Sequence, residues 1–324
     1  MKIAVITGCL GFLGKHLTRR ALKKGWRVFG IDKINYCSDL EMLNHFESQE
    51  RFKFLQADIA DLDRLPRCDY VINTAAESHV AHSIADSEPF IVANVDGVRN
   101  LLELIREKPD NSQPLLMHIS TDEVYGDIDD GFFTEESLPN PSNPYSASKA
   151  AGDMLVMAWA RTYGVKYNIM RPTNFYGVGQ YPEKLVPLVI DNLDRGIKIP
   201  LHNSGEPIRT WLHVEDAIKA IFTILEKGQR NEVYNCSGGY EQKNWETVAY
   251  ILQLYCDDFE FDSAEPLLSM RNYIDLSYDR EGQDIRYALD DEKLRKLGWK
   301  PERIFEEEIV KIVKFHKGKF IGEF

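Results

Sequence analysis

Hydrophobic and polar residues follow a strand-then-helix rhythm along most of the chain. Short apolar runs rich in β-branched residues are typical of buried parallel strands, and they occur at residues 3–6, 26–31, 52–56, 70–74, 115–119, 166–170 and 232–235. Apolar residues at helical spacing lie between them, notably at 15–24, 90–107 and 146–163. This alternation predicts an α/β fold with a doubly wound parallel (Rossmann-type) sheet, in which functional groups collect at the carboxyl ends of the strands.

The pattern changes after residue 172, where prolines become frequent and long loops rich in aromatic residues replace the regular rhythm. We predict a dinucleotide-binding domain at residues 1–172, completed by a return strand and helix near 213–238. Residues 173–212 and 239–324 are then predicted to form a smaller, interleaved α/β domain that binds the substrate.

The first predicted strand leads directly into the glycine-rich turn Gly8-Cys9-Leu10-Gly11-Phe12-Leu13-Gly14 and then into a helix. In this setting glycines allow the backbone to approach a pyrophosphate at the helix N-terminus. We therefore predict dinucleotide contacts from Gly8, Gly11, Phe12, Leu13 and Gly14.

Acidic and small residues after the next strands predict the rest of the cofactor pocket. Asp32 ends the second strand, where a carboxylate hydrogen-bonds the adenine ribose hydroxyls and repels a 2′-phosphate, so NAD is favoured over NADP. The neighbouring Lys33 leaves that preference open, because its ammonium would attract the same phosphate. The remaining predicted contacts follow the third and fourth strands: Asp58, Ile59, Ala75 and Ala76.

Tyr145 and Lys149 are one helical turn apart, so both side chains lie on the same face of a helix. A nearby ammonium favours the phenolate and lowers a pKa that starts near ~10. Tyr145 is therefore a candidate base for a sugar hydroxyl. Upstream, Thr121-Asp122-Glu123 follows another predicted strand, and its two carboxyl groups form a candidate acid and base pair if their environments separate their pKa values.

Composition, net charge and cysteine spacing argue against several classes of protein. A chain of 324 residues with 44% hydrophobic content can bury a large core. The net charge of −12 argues against nucleic acid as a partner. The five cysteines are scattered, with no C-x-x-C pair, so we expect neither a metal site nor a disulfide frame. We also expect no signal peptide and no membrane span, and hence a cytoplasmic protein.

Several segments together resemble the extended short-chain dehydrogenase/reductase family, and within it the nucleotide-sugar 4,6-dehydratases. The resemblance extends over nearly the whole chain, and Thr121-Asp122-Glu123 is its most specific part, since related epimerases usually carry a small residue where Asp122 stands. The other segments are residues 75–80, 145–149, 174–177, 180–185, 209–216 and 279–284.

The resemblance implies an NAD-dependent lyase that converts an NDP-hexose, a dTDP-glucose or a UDP-sugar, to the NDP-4-keto-6-deoxyhexose. By analogy Tyr145 takes the proton of the C4 hydroxyl, Thr121 hydrogen-bonds the same oxygen, and Lys149 holds the nicotinamide ribose. Glu123 then takes the C5 proton and Asp122 protonates the departing C6 hydroxyl.

The resemblance also implies a substrate site and an assembly. The implied substrate contacts are Ser78, Asn174, Lys184, Leu185, Arg209, Asn244 and Arg280. We expect a homodimer, because apolar faces along 90–105 and 150–159 are suited to pairing about a two-fold axis.

Two questions stay open at this point. Ala81, Leu201-His202, Thr210 and His213 depart from the pattern expected of the family, so the nucleotide base and the hexose are undetermined. The alternative activity is an NAD-dependent nucleotide-sugar 4-epimerase, which would use Tyr145 and Lys149 but not Asp122. A non-catalytic dinucleotide sensor of the same fold is disfavoured, because both of those residues are present.

Overall fold

Seven parallel strands form the central sheet in the computed structural model, which describes residues 1–279 and 282–318. The strands of all sheets in the described residues are β1 (Ile3–Thr7), β2 (Arg27–Asp32), β3 (Phe52–Gln56), β4 (Tyr70–Asn73), β5 (Leu115–Ile119), β6 (Tyr167–Pro172), β7 (Asn174–Tyr176), β8 (Ile199–Pro200), β9 (Ile208–His213), β10 (Glu232–Cys236), β11 (Tyr240–Lys243) and β12 (Ile274–Asp275). The central sheet has the order β10-β6-β5-β4-β1-β2-β3, and β1 pairs in parallel with both β2 and β4. The predicted fold class is confirmed.

Helices cover both faces of this sheet. The α-helices of the described residues are α1 (Phe12–Lys23), α2 (Leu40–Glu47), α3 (Val80–Ala85), α4 (Glu88–Ile91), α5 (Gly97–Arg106), α6 (Pro144–Tyr163), α7 (Leu185–Arg195), α8 (Val214–Lys227), α9 (Asn244–Tyr255), α10 (Pro266–Ser269), α11 (Glu292–Arg295) and α12 (Phe305–His316). On one face α1 and α8 pack through side chains such as Leu17 and Ile221, and on the other α5 and α6 pack through Leu101 and Val156. Burial on both faces explains why the strands read as continuous apolar runs.

The order of the strands places the cleft. From β1 the chain runs outward to β2 and β3 and then crosses back to β4, so connections leave β1 and β4 in opposite directions. A crevice opens at such a switch point, outside the carboxyl ends of the two strands. The glycine-rich turn follows β1, and residues 74–79 follow β4, so both predicted segments reach the same crevice.

The helix predicted at 90–107 is not continuous. A π-helical segment, Val92–Asp96, separates α4 from α5. Within it, the buried Asn94 side chain accepts a hydrogen bond from the Glu77 N–H and donates to the Glu77 carbonyl and the Ser148 hydroxyl. The side chain of Asn94 in this π-helical turn therefore connects the loop after β4 to α6, the helix that carries Lys149. Sequence periodicity alone does not reveal this connection.

The helix predicted at 146–163 begins two residues earlier. Asn143 forms a capping box with Ser146, and Pro144 occupies the first turn. Gly164 ends the helix in the left-handed conformation, with φ +74°. The N-terminal end of α6, with Tyr145, therefore points toward the crevice.

Residues beyond β6, apart from α8 and β10, build a second layer over the crevice. Three strands form a small sheet in the order β11-β9-β7, and β8 pairs with β12. Their core includes Tyr176, Trp211, Val248 and Phe305. Lys15 donates to the carbonyl of Gly179, which joins the first helix of the main sheet to this layer.

Three further observations concern the described residues, 1–279 and 282–318. None of their helices is both long and apolar enough to span a bilayer. They contain no group of three or more His, Cys, Asp or Glu side chains arranged to hold a metal ion. All five cysteines are free thiols.

Candidate active site

A cleft of about 700 Å³ lies between the carboxyl edge of the central sheet and the second layer. An adjoining pocket continues from it along the ends of β2 and β3. The cleft brings together all five predicted catalytic residues: Thr121, Asp122, Glu123, Tyr145 and Lys149. The predicted cofactor residues line one or both of these spaces: Gly8, Gly11, Phe12, Leu13, Gly14, Asp32, Lys33, Asp58, Ile59, Ala75 and Ala76.

The glycine-rich turn is built for close approach to an anion. Gly8 has φ +63°, and a Cβ at Gly14 would overlap the carbonyl oxygen of Gly8, so neither position accepts a side chain. The N-cap of α1 is Gly11, which provides no side-chain cap, and the first turn contains no acidic residue. The main-chain N–H groups at this helix end are thus available to a diphosphate.

Charged side chains at the far end of the adjoining pocket are held in fixed positions. Asp32 accepts hydrogen bonds from the Leu10 and Ile34 N–H groups, at 3.0 and 2.9 Å. The Lys33 ammonium is 2.8 Å from the Glu77 carboxylate and 3.7 Å from that of Asp58. Lys33 therefore already faces two carboxylates, which removes the reason to expect that it attracts a 2′-phosphate.

The Thr121-Asp122-Glu123 segment forms a tight turn directly after β5. Thr121 caps the 3₁₀ turn Asp122–Tyr125 by accepting from the Glu123 N–H, and its hydroxyl donates to Oδ1 of Asp122 at 3.1 Å. Asp122 is 2% exposed, and its Oδ2 has no hydrogen-bond partner among the described residues. Burial, and then the charge of Glu123, raise the pKa of Asp122 to about 8. This carboxyl group accordingly carries a proton at neutral pH.

Glu123 belongs to a hydrogen-bonded chain that sequence reasoning did not find. The Tyr287 hydroxyl, which is nearly fully buried, lies 3.3 Å from Oε2 of Glu123 and makes a short hydrogen bond to Asp284. Ser142 donates to the same Asp284 oxygen at 2.6 Å. Since Tyr287 is 164 positions from Glu123 in the chain, no local pattern connects the two residues.

Tyr145 and Lys149 share the buried face of α6, at 8% and 3% exposed. The expectation that Lys149 holds its ammonium at the phenol and lowers its pKa differs from the structure. The ammonium donates to the carbonyl of Ile119 at 2.6 Å. Burial, followed by the charge of Glu123, raises the pKa of Tyr145, while a hydrogen bond with Thr121 acts in the opposite direction.

Six of the seven predicted substrate residues are seen to line the same cleft. They are Ser78, Asn174, Lys184, Leu185, Arg209 and Asn244. Lys184 donates to the carbonyl of Ser78 at 2.8 Å, so these two are in direct contact. The side-chain oxygens of Asn174 and Asn244 are buried and lack partners among the described residues. Arg280 lies outside the described residues.

Arg209 is held rigidly at the cleft wall. Its guanidinium donates to the carbonyls of Ile208, Asp284 and Ile285 and lies 4.6 Å from the centre of the Tyr287 ring. These bonds use both N–H groups of Nη1 and one of Nη2. No acceptor for Nε is found among the described residues, so the edge formed by Nε and Nη2 is available for a ligand there, and two parallel donors of this kind suit a phosphate.

Two departures from the expected family pattern have local structural roles. The ring of His213 accepts a hydrogen bond from the Glu215 N–H and so caps α8. The hydroxyl of Thr210 donates to the carbonyl of Tyr287. By contrast, Ala81 and His202 line the cleft, together with Trp211 and Gln180, which sequence reasoning missed. The Trp211 Nε1 and the Gln180 Oε1 are buried without partners among the described residues, a signal that only the folded chain provides.

Comparisons with known proteins agree with this geometry. The sequence profile of the GDP-mannose 4,6-dehydratase family matches residues 5–312. A dTDP-glucose 4,6-dehydratase from Escherichia coli is 38% identical over 98% of this chain and 93% of its own length. The solved dTDP-glucose 4,6-dehydratase of Streptomyces venezuelae, with NAD bound, superposes with a TM-score of 0.89 at 34% identity, covering 98% of this chain and 97% of its own.

A UDP-glucose 4-epimerase has a similar overall structure. The enzyme from Thermotoga maritima, solved with UDP-glucose, gives a TM-score of 0.84 at 25% identity, covering 98% of this chain and 99% of its own. The fold by itself therefore does not separate dehydratase from epimerase, and the difference has to be sought in the side chains of the cleft.

Proposed function

Because the chain belongs to the GDP-mannose 4,6-dehydratase family, we propose that it is an NAD-dependent nucleotide-sugar 4,6-dehydratase. Its reaction converts an NDP-hexose to the NDP-4-keto-6-deoxyhexose with loss of water. The relatives quoted above act on dTDP-glucose, and we propose dTDP-glucose or a UDP-hexose as the substrate of this chain.

One observation carries the choice of reaction. Asp122 and Glu123 open into the same cleft as Tyr145, and Asp122 is protonated at neutral pH because burial and the Glu123 charge raise its pKa to about 8. A 4-epimerase needs one base at C4. Elimination needs in addition an acid for the leaving hydroxyl and a base for the neighbouring carbon, and two adjacent carboxyl groups with separated pKa values meet that need.

The residues that fit a bound NAD are those of the glycine-rich turn and of the pocket at the end of β2. The N–H groups at the start of α1 would hold the diphosphate, and Asp32 the adenine ribose. When bound, NAD supplies a reversible hydride acceptor, so that oxidation at C4 makes the C5 proton acidic. Lys33 is engaged by Glu77 and Asp58, which supports NAD over NADP.

The side chains then act in sequence on the sugar. Tyr145 takes the proton of the C4 hydroxyl, and Thr121, which hydrogen-bonds Tyr145, orients the same oxygen. Glu123 removes the C5 proton. Asp122 delivers its proton to the C6 hydroxyl, which leaves as water. With the hydride that bound NAD would return to C6, Glu123 gives a proton back to C5, and this completes the 4-keto-6-deoxy product. Because Tyr145 has a raised pKa in this cleft, its proton transfer depends on a nearby positive charge.

The nucleotide part is proposed to lie against the second layer. The free edge of Arg209 would bind the diphosphate, as would Lys184. Asn174 and Asn244 present unpaired side-chain oxygens that would accept hydrogen bonds from hydroxyl or base N–H groups. This assigns substrate binding to residues 173–212 and 239–324, and dinucleotide binding to 1–172 with about 213–238.

The product mass tests the reaction. Purified protein is incubated with a panel of dTDP-, UDP-, GDP- and CDP-hexoses in deuterated water, and the products are weighed by mass spectrometry. Loss of one water with deuterium at C5 supports the dehydratase. An isomer of the substrate without C5 label would instead establish the epimerase, and the panel identifies the base.

We also propose a cytoplasmic homodimer. Apolar side chains on α3, α4 and α6 are partly exposed, including Ile84, Ile91 and Met154 at 42%, 46% and 44%. Exposed apolar residues on neighbouring helices suit a two-fold helical interface. Light scattering at micromolar concentration measures the mass, and a monomer would contradict the proposal. Cell fractionation tests the location.

A further inference from the structure

A chain of buried polar side chains crosses the central sheet beneath the catalytic residues. Its members are Thr7, Asn73, His118, Asp153, Arg171, Tyr125 and Asn235, and each is at most 2% exposed. The links are hydrogen bonds of 2.6–3.1 Å, apart from one gap of 3.7 Å between His118 and Asp153. No step of the reaction proposed above uses these groups, and burying charged groups is costly unless they are paired.

The histidine in this chain is neutral. Thr7 donates to Oδ1 of Asn73, which orients the amide so that its Nδ2 donates to Nδ1 of His118 at 3.1 Å. The ring proton therefore resides on Nε2, which faces Oδ1 of Asp153. Burial, and then the charges of Lys149 and Arg171, hold the pKa of His118 well below its usual range.

Asp153 forms a buried ion pair with Arg171 and follows Lys149 by one turn of α6. The Arg171 Nε donates to its Oδ2 at 2.9 Å, while Nη1 of the same guanidinium donates to the Tyr125 hydroxyl. Lys149 precedes Asp153 by one turn of α6, so the two share a helix face. Burial raises the pKa of Asp153 and Arg171 opposes that effect. Asp153 therefore pairs with the Arg171 guanidinium and lies on the same face of α6 as Lys149.

Lys149 needs such a partner. Its ammonium donates to one neutral acceptor, the carbonyl of Ile119, and burial lowers its pKa to about 8, with the Asp153 charge acting in the opposite direction. The ionisable groups that line the same cleft as Lys149 include Tyr145 on its own helix and Asp122 and Glu123 after β5. The neutral His118 on β5 and the cationic Arg171 on β6 face Asp153.

We propose that Asp153 is a positioning residue whose carboxylate, anchored by Arg171, keeps Lys149 charged one helical turn from Tyr145. The catalytic part of this inference rests on the proposed function. In that reaction a protonated Lys149 supplies the positive charge on which proton removal by Tyr145 depends. The charge pairing itself is a property of this chain alone and is measured without substrate.

The test compares Asp153→Asn with the native holoenzyme. The amide keeps the shape but removes the charge, so Lys149 should titrate about 1–3 units lower. The titration is followed by NMR in protein labelled with [ε-¹³C]lysine, with the Lys149 signal assigned from Lys149→Arg. The alkaline limb of the kcat/KM profile should move to lower pH by the same amount, and Asp153→Glu should restore it.

A matched control is Asp216→Asn. Asp216 is also buried, at 3% exposed, but it lies on α8 and accepts from the N–H groups of Glu302 and Arg303. It should leave the Lys149 titration unchanged. If Asp153→Asn alone does not fold because Arg171 loses its partner, Asp153→Asn with Arg171→Gln is compared with Arg171→Gln alone, and Lys149 should titrate lower in the double variant than in that single variant.

An unchanged Lys149 titration in a folded variant lacking the Asp153 charge overturns the proposal, whatever the activity. A native protein without dehydratase activity would overturn the proposed function instead. The NMR titration would still decide the role of Asp153 in that case, so the two failures are distinguishable.

Discussion

Because Asp122 is protonated in the folded protein, we expect this catalytic side chain to lower the stability of the fold at neutral pH. Its pKa is raised from 3.8 to about 8, so in the folded protein it keeps a proton that the unfolded chain has already lost. Between these values the unfolded state binds fewer protons than the folded state, and stability falls as pH rises, by about 1.4 kcal/mol per pH unit. At pH 7 the accumulated cost is about 4 kcal/mol, an order-of-magnitude figure.

Asp122→Asn removes this cost and keeps the shape. The amide oxygen accepts from Thr121 as Oδ1 does, and the amide nitrogen stands where the protonated Oδ2 was. The variant should be more stable than the native protein at pH 7, and the difference should grow with pH between about 4 and 8. It should also lose elimination by about 10²–10⁴-fold, because an amide cannot deliver a proton to the C6 hydroxyl.

The assay measures the free energy of unfolding of both proteins in guanidinium at pH 5, 6, 7 and 8, with saturating NAD throughout. Packing differences between the two proteins add the same amount at every pH, so the result is the slope of unfolding free energy against pH. The control is Asp129→Asn, which replaces an exposed carboxylate a few residues further along the chain. Its unfolding free energy should change with pH in parallel with that of the native protein. If the unfolding free energy of Asp122→Asn also changes with pH in parallel with that of the native protein, the fold does not keep Asp122 protonated. The assignment of Asp122 as the acid is then wrong.

Three further predictions follow from the cleft. Tyr145→Phe should abolish C4 oxidation by about 10²–10⁴-fold while NAD content, measured after denaturation, is unchanged; near-native turnover would remove Tyr145 from the mechanism. Gly14→Ala should yield protein without bound NAD, because the added Cβ overlaps the carbonyl of Gly8; full cofactor content would contradict the assigned diphosphate site. Tyr287→Phe should lower kcat about 10-fold, since it removes the hydroxyl that lies between the Glu123 and Asp284 carboxylates, and unchanged kcat would show that this contact is structural only.

Local features were predictable because their causes are local. The strand, glycine turn and helix from Ile3 to Lys23 depend on backbone freedom and on apolar residues a few positions apart, which are visible in the sequence. The same holds for the placement of Tyr145 and Lys149 on one helix face.

Long-range contacts were not predictable in this way. The partner of Lys149 is a carbonyl on β5, and its neighbouring charge is set by Arg171 on β6. The π-helical turn at Asn94 responds to hydrogen-bonding groups in other elements, so a continuous helix was the natural expectation. Each of these features depends on which strands are adjacent, and periodicity does not encode adjacency.

The sequence by itself determined the class of fold, the dinucleotide turn and the residue types of the chemistry, because strand runs, glycines and the Thr121-Asp122-Glu123 triplet are contiguous in the chain. Only the tertiary structure decided how those groups behave. It buries Asp122 beside Glu123 and so gives it a proton, and it brings Tyr287 to Glu123 from 164 positions away. The physical reason is that a pKa and a hydrogen bond depend on burial and distance, which exist only once the chain is folded.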